Sequence, residues 1–397
     1  MIRIQNIPLP VGGSLEQLRR KAARTLGLRP GALKQVRLVR QSIDARKKQD
    51  VHYVYTLDVE VEQEEAVLSA CTARNVSLVH PVPYAFPEVK RRSTNMPVVA
   101  GMGPAGLFAA LFLARNGIPC VVLERGQDVD TRTKDVERFW KEGTLDPSSN
   151  VQFGEGGAGT FSDGKLTTGT HDPRIAAVMD ALIEAGAPED VKWSHKPHIG
   201  TDILRQVVKT IRQELISLGC DVRFGSCLTG LEHSGGQLSG IWVEGPEGRY
   251  RLDCDALVLA PGHSARDTFR MLEQEGVPME QKSFAIGVRI EHKQKLISQA
   301  QYGPFWDKLP PTDYKLACHL PNGRSAFTFC VCPGGQVVAS ASEPGQLVTN
   351  GMSYRSRDGE NINGGFLVGV GPEDFQTFPG APLPPDILLL FFRRHLR

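Results

Sequence analysis

Val98-Val99-Ala100-Gly101-Met102-Gly103-Pro104-Ala105-Gly106 is a short apolar run that closes on three glycines in a GxGxxG spacing. Val98 to Ala100 reads as a buried strand, Leu107 to Arg115 as a helix ended by Gly117, and Cys120 to Leu123 as a second strand. In such a βαβ unit each glycine has a steric task. Gly101 makes the tight turn, Gly103 lets backbone approach a pyrophosphate, and Gly106 lets the helix pack on the strand. The helix N-terminus offers free amides and the positive end of its dipole to phosphate. Glu124 stands 18 residues after Gly106, at the end of the second strand, where a carboxylate accepts hydrogen bonds from a ribose. Pro104 and Ala105 between the glycines, Arg125 beside Glu124, and Val222 in the expected strand Asp221 to Phe224 join this candidate set.

The turn alone does not choose between FAD and NAD. Asp255 to Gly262, an apolar strand followed by Ala260-Pro261-Gly262, looks like the returning strand and Ala-x-Gly turn of flavoproteins with two dinucleotide folds, which adds Ala260 and Gly262. A second glycine cluster, Gly154, Gly156, Gly157 and Gly159 with Thr160, is small enough to bring backbone amides against an extended cofactor. It also contains Gly159 and Gly164-Lys165, near a nucleotide-triphosphate loop. Position 166 is Leu, however, so the hydroxyl that ligates magnesium in such loops is missing. The reading is a second cofactor-contacting loop, set against a mobile surface loop as the plain alternative.

The rest of the chain fixes the organisation. Residues 1 to 92 hold 16 Lys and Arg against 9 Asp and Glu, a net of +7 that leaves −5 for the remainder of a 397-residue chain of net charge +2. Ser14 precedes a helical run, Leu15 to Leu26. Val51 to Val61 alternates apolar and polar residues as a half-buried strand does. With a helix at 64–74 and a strand at 76–80, residues 1–85 read as a ferredoxin-like α+β domain, which fixes no function by itself. Residues 86–97 form a linker, 98–283 an α/β dinucleotide-binding domain, and 284–397 a β-rich substrate domain. RNA binding by the basic domain is disfavoured, because no aromatic, glycine-rich strand motif is present. Eight cysteines without CxxC spacing, no metal-ligand pattern and no apolar run of membrane-spanning length lead to the expectation of a cytoplasmic protein with reduced thiols and no metal.

Six strings carry a family resemblance: Arg40 to Arg46 (RQSIDAR), Phe153 to Lys165 (FGEGGAGTFSDGK), Lys196 to Asp202 (KPHIGTD), Gly287 to His292 (GVRIEH), Cys330 to Gly335 (CVCPGG) and Thr349 to Ser353 (TNGMS). On them the chain resembles the uncharacterised FAD-dependent dehydrogenases, with a small N-terminal domain before a glutathione-reductase-type, Rossmann-like FAD fold. The resemblance covers the chain to about residue 380 and implies FAD as cofactor. It departs at Leu383 to Arg397, where the family's closing segment is expected and the chain reads as truncated.

A flavin carries the hydride, so the protein's own contribution is orientation and electrostatics. Lys165, His198 and Cys332 are the candidates for that work: a cation near the flavin or a substrate carboxylate, a proton donor, and a thiol. Each has a plainer role, with Lys165 pairing with Asp163 or Glu155, His198 capping a helix, and Cys332 packing as a small hydrophobe. Arg289 and Glu291, on one face of a strand, are expected to pair, and Cys330 and Cys332 to share a face. The expected activity is hydride transfer through flavin N5 to or from a small or lipid-like substrate, with reduction by NAD(P)H or directly by substrate. A flavin-binding scaffold without turnover is the alternative.

Overall fold

The computed structural model describes residues 1–80, 82–89, 95–376 and 390–392. Ser14 opens the first helix with a capping box: its hydroxyl accepts from the Gln17 amide at 3.2 Å, and its own amide donates to Gln17 Oε1 at 3.0 Å. That pair satisfies two amides left open at a helix start. The helix, α1 (Leu15–Thr25), buries Leu18, Ala22 and Ala23 against strand β1 (Ile2–Pro10). Strands β2 (Gln35–Asp44) and β3 (His52–Glu60), helix α2 (Glu64–Ala70) and strand β4 (Val76–Leu78) complete a plait of order β2-β3-β1-β4. Ile2 faces Val59 and Ile4 faces Leu57 across β1 and β3, so the apolar half of each strand enters one core.

The deciding stretch folds as strand β5 (Val98–Ala100), helix α3 (Pro104–Arg115) and strand β6 (Val121–Leu123). With α4 (Val129–Glu142), α5 (Arg174–Glu184), α6 (Thr201–Ser217) and β7 (Asp221–Arg223), then the meander β8 (Cys227–Ser234), β9 (Gln237–Gly245) and β10 (Gly248–Asp253), and finally β11 (Leu257–Leu259), it builds a three-layer unit. The parallel sheet has the order β11-β5-β6-β7. Its central strands are wholly buried, as parallel strands covered on both faces must be. One face packs on α3 and α6 through Val99, Val122, Leu111, Val207 and Ile211. The other packs on the meander through Val98, Leu123, Ile241 and Val243. Strand order reverses between β5 and β11, the switch point at which such sheets open a crevice beyond their carboxyl ends.

The remaining chain forms α7 (Arg266–Gln274), β12 (Met279–Gln281), β13 (Phe284–Lys293), α8 (Gln294–Tyr302), β14 (Ala317–His319), β15 (Ser325–Cys332), β16 (Gln336–Ala339), β17 (Thr349–Met352), β18 (Asn361–Val370) and β19 (Leu390–Phe392). Strands β13, β18, β15 and β14 make an antiparallel sheet. A bulge in β15 between Phe329 and Cys332, with Cys330 at φ +47°, breaks the alternation expected for its two cysteines. Arg289 turns to Asn363 Oδ1 (3.2 Å) and the Cys330 carbonyl (2.8 Å) while Glu291 lies exposed, so the expected Arg289–Glu291 pair does not form. The expected departure at Leu383 to Arg397 falls outside the described residues except for 390–392.

Candidate functional site

A cleft of about 280 Å3 opens at the switch point. Gly101, Gly103 and Pro104 line one wall, Glu124 and Arg125 the second, Ala260 and Gly262 the third, and Gly157 and Gly159 the fourth. Gly101 has φ +104°, and a Cβ there would lie 2.1 Å from the Ala260 carbonyl oxygen. A Cβ on Gly106 would lie 1.8 Å from the Gly101 oxygen. Gly103 differs. A Cβ there would meet only Gly157 Cα, at 3.8 Å, so the space before it is left open by the protein. Pro104 has no amide, and the amides of Ala105 and Gly106 lie in the first turn of α3, where a helix has no acceptor of its own. An open cradle beside free amides fits the pyrophosphate of a dinucleotide.

Glu124 has a different first task from the one its position indicates. Its carboxylate is buried and accepts three backbone amides, from Met102 (2.8 Å), Gly126 (2.9 Å) and Gly154 (2.9 Å). It therefore ties the glycine turn to the second glycine loop. Beside it, Arg125 donates to Asp267 and Thr268 at 2.9 Å each, with its guanidinium 4.5 Å above the Phe153 ring. Val222 does not enter the cleft lining; it pairs with Val122 inside the sheet and packs on the core.

The second loop is shaped by a residue that the sequence reading passed over. Arg132 on α4 is wholly buried and donates to four carbonyls: Asn150 (2.8 Å), Glu155 (2.6 Å), Val151 (3.0 Å) and Gly157 (2.9 Å). Burial pulls its pKa down to about 10, opposed by Glu124 and Glu155, so it stays charged at neutral pH. Gly154 and Gly156 are glycines for internal reasons. Their Cβ atoms would fall 2.3 Å from Arg132 Cδ and 2.2 Å from Thr160 Oγ1. Thr160 is buried and donates to the Glu155 carbonyl, so it too is structural. Of the residues predicted in this second loop, only Gly157 and Gly159 reach the cleft. No helix follows Lys165, as a nucleotide-triphosphate loop requires.

Lys165, His198 and Cys332 come together outside this cleft. Lys165 and His198 form an antiparallel bridge, and Lys165 Nζ lies 2.6 Å from Asp163 and 3.4 Å from Cys332 Sγ. Asp163 also receives Arg357 through Nε (3.0 Å) and Nη2 (2.5 Å), and the Ser353 hydroxyl. Burial pushes this carboxyl up, but Lys165 and Arg357 outweigh it and hold the group at about 2. His198 is pulled down to about 4 by burial and then by Arg357, so it is neutral at pH 7, with Nε2 3.2 Å from the Arg355 carbonyl. Cys332 is wholly buried, and its hydrogen bond to Cys330, with burial, pushes its thiol up. The expected Lys165–Asp163 pair is present; Arg357 and Ser353 were not singled out as partners.

Fold and cleft suit a dinucleotide cofactor, and residues 283–385 match the family model described as FAD-dependent protein, C-terminal domain-like. Residues 1–60 match a domain of unknown function. The chain is 47% identical over 383 residues to an uncharacterized protein of Clostridium beijerinckii, covering 94% of this chain and 70% of that one, and it belongs to that protein's family. Two matched solved structures are far less similar. The OxyS anhydrotetracycline hydroxylase of Streptomyces rimosus is 18% identical with a TM-score of 0.30, over 69% of this chain and 44% of its own, so this chain spans less than half of it. The flavin-dependent brominase Bmp2 is 12% identical with a TM-score of 0.37, over 71% of this chain and 57% of its own. Both likenesses are too loose to bear on function.

Among the described residues no helix is long and apolar enough to cross a membrane, and no cluster of His, Cys, Asp and Glu is arranged to hold a metal.

Proposed function

We propose that this chain is an FAD-dependent oxidoreductase of the glutathione-reductase-type layout, acting on a small or lipid-like substrate, with NAD(P)H or the substrate itself as reductant. The observation that carries the reading is the open cradle at Gly103, set at the switch point of a parallel sheet in a chain whose family model is FAD-dependent. When bound, the flavin supplies hydride transfer at its N5. The chain's residues do the rest. Gly101 and Gly106 bring backbone and helix together, the first amides of α3 neutralise a pyrophosphate, and Glu124 keeps the turn and the Gly154–Gly159 loop in register. The Lys165–Asp163–Arg357 cluster holds a fixed positive charge beside that loop.

A scaffold without turnover is the second reading. It is supported by the state of the candidate groups: Cys332 is inaccessible, His198 is neutral, and Lys165 is paired. Cofactor release from the purified protein, identified by mass spectrometry, tests the first statement. Bleaching of a retained flavin by NAD(P)H or substrate separates enzyme from scaffold. Gly103→Val is expected to fold normally yet lose FAD, because a side chain grown from that position enters the cradle, where its Cβ meets nothing nearer than Gly157 Cα at 3.8 Å. Unchanged flavin occupancy in that variant would sink the site assignment.

A further inference from the structure

A second cavity, of about 1080 Å3, lies where the N-terminal plait meets the rest of the chain. Two anchors bound it. On one side the β2 edge is extended by residues 193–195, through Gln41 N to the Trp193 carbonyl (2.7 Å) and His195 N to the Gln41 carbonyl (2.9 Å). On the other, Val51, Ile43 and Tyr53 pack against Tyr302 and Leu309. Three of the strings that carry the family resemblance, far apart in the chain, converge here: Gln41 to Arg46, Lys196 with His198, and Pro333. The cofactor cleft uses none of them.

The charge on the wall is unbalanced. Arg46 is paired with Asp44, Lys196 with Asp313, and Arg355 with Asp190, one carboxylate each. Arg357 has only a share of one, because Asp163 is also held by Lys165. Lys165 and Arg357 thus share the single buried carboxylate of Asp163. Arg357 commits Nε and Nη2 to Asp163 and leaves Nη1 without a partner among the described residues, on a side chain that lines the cavity. Its backbone is held at φ +51°, a left-handed conformation that is unfavourable for a non-glycine residue and persists only where the surroundings impose it. The imposition is visible: Gly334 abuts the Arg357 carbonyl so closely that a Cβ on Gly334 would lie 1.8 Å from its oxygen. Beside these cations Ile43, Tyr302, Pro310 and Pro311 form an apolar stretch of a wall that also carries polar side chains such as Gln41, Gln301 and Thr312.

We propose that this cavity binds a small molecule with an apolar body and one carboxylate or phosphate group, its anionic end received by Arg357 Nη1 with Lys196 at the rim. The site shares Arg357 with the charge cluster of the proposed function but uses no residue of the cofactor cleft. The test is isothermal titration with 3-phenylpropionate, phenyl phosphate and the neutral 3-phenylpropionamide. At least one acid is expected to bind saturably, one per chain and at least tenfold more tightly than the amide, and the preferred acid identifies the anionic group. Arg357→Gln is expected to weaken that acid at least tenfold. Lys196→Gln touches only an exposed ion pair, so it keeps the fold if Arg357→Gln does not, and it is expected to weaken binding about threefold or more. Binding that survives in Gly103→Val supports the separate site. Equal binding of acids and amide, no binding of either acid, indifference to both cation variants, or loss in Gly103→Val would each overturn the proposal.

Discussion

Replacing Glu124 by Gln distinguishes two roles that the sequence cannot separate. The carboxylate accepts Gly126 and Gly154 on Oε1 and Met102 on Oε2, all within 2.9 Å, in a buried setting. A carboxamide keeps one acceptor oxygen. If that oxygen serves the two glycines, the new NH2 faces the Met102 amide, donor against donor. The loss is one charge-assisted bond, about 1.5–3 kcal/mol, plus unsatisfied buried donors at about 1–3 kcal/mol. A total of roughly 2.5–6 kcal/mol corresponds to a fall in Tm on the order of 5–24 °C, at about 2–4 °C per kcal/mol for a domain of this size. The assay is thermal unfolding, by circular dichroism, of protein stripped of flavin. A residue whose task is ribose binding alone leaves the stripped protein's Tm unchanged and weakens only cofactor retention. A Tm within about 1 °C of wild type would therefore refute the anchoring role.

Gly106→Ala is expected to destabilise the fold by roughly 1–3 kcal/mol or more through the clash with the Gly101 carbonyl, whereas Gly103→Ala leaves the stripped protein's denaturation midpoint unchanged. Arg132→Met removes the donor of four buried carbonyls and is expected to cost on the order of 3–5 kcal/mol, seen as faster hydrogen exchange and protease cleavage across residues 150–157. The His198 imidazole titrates near 4 in the folded chain against 6.5 when unperturbed. Between these values the unfolded state binds more protons, so the contribution is full above about 6.5 and is lost as pH falls toward 4. His195 and His263 are also shifted down. The test is thus the difference between wild type and His198→Asn, which is expected to flatten denaturant midpoints over that window; parallel profiles would show His198 to be unperturbed.

The glycine turn, the Ser14 cap and the alternating strand from His52 to Glu60 are legible in sequence because their causes are local: a φ sign, a hydroxyl three residues before an amide, a two-residue period. Arg132 was not legible. An arginine on a charged helix reads as solvated, and α4 itself has too few apolar positions to announce a helix; only its four carbonyl partners, arriving from a loop 18 to 25 residues later, make it internal. Glu124 was placed correctly at a strand end, but spacing does not say which way a carboxylate turns. The two cysteines of β15 were assigned by parity, and a bulge with a left-handed non-glycine residue reverses parity without a mark in the sequence. Lys165, His198 and Cys332 lie in three separate strings, and their meeting depends on long-range packing that no local pattern encodes.

The way Trp193 to His195 lie along the β2 edge bears on how this chain can be taken apart. An exposed strand edge is a template for pairing with other chains, and proteins protect such edges by covering them. Here the cover for the plait is supplied by residues 193–195, and the apolar cluster around Val51 is likewise completed by Tyr302 and Leu309. Cutting in the 86–97 stretch therefore yields two fragments that each carry a raw surface, and the plait alone would offer its β2 edge to a neighbouring plait. Co-expression of the two pieces is the route by which they would stay soluble, each serving as the other's chaperone.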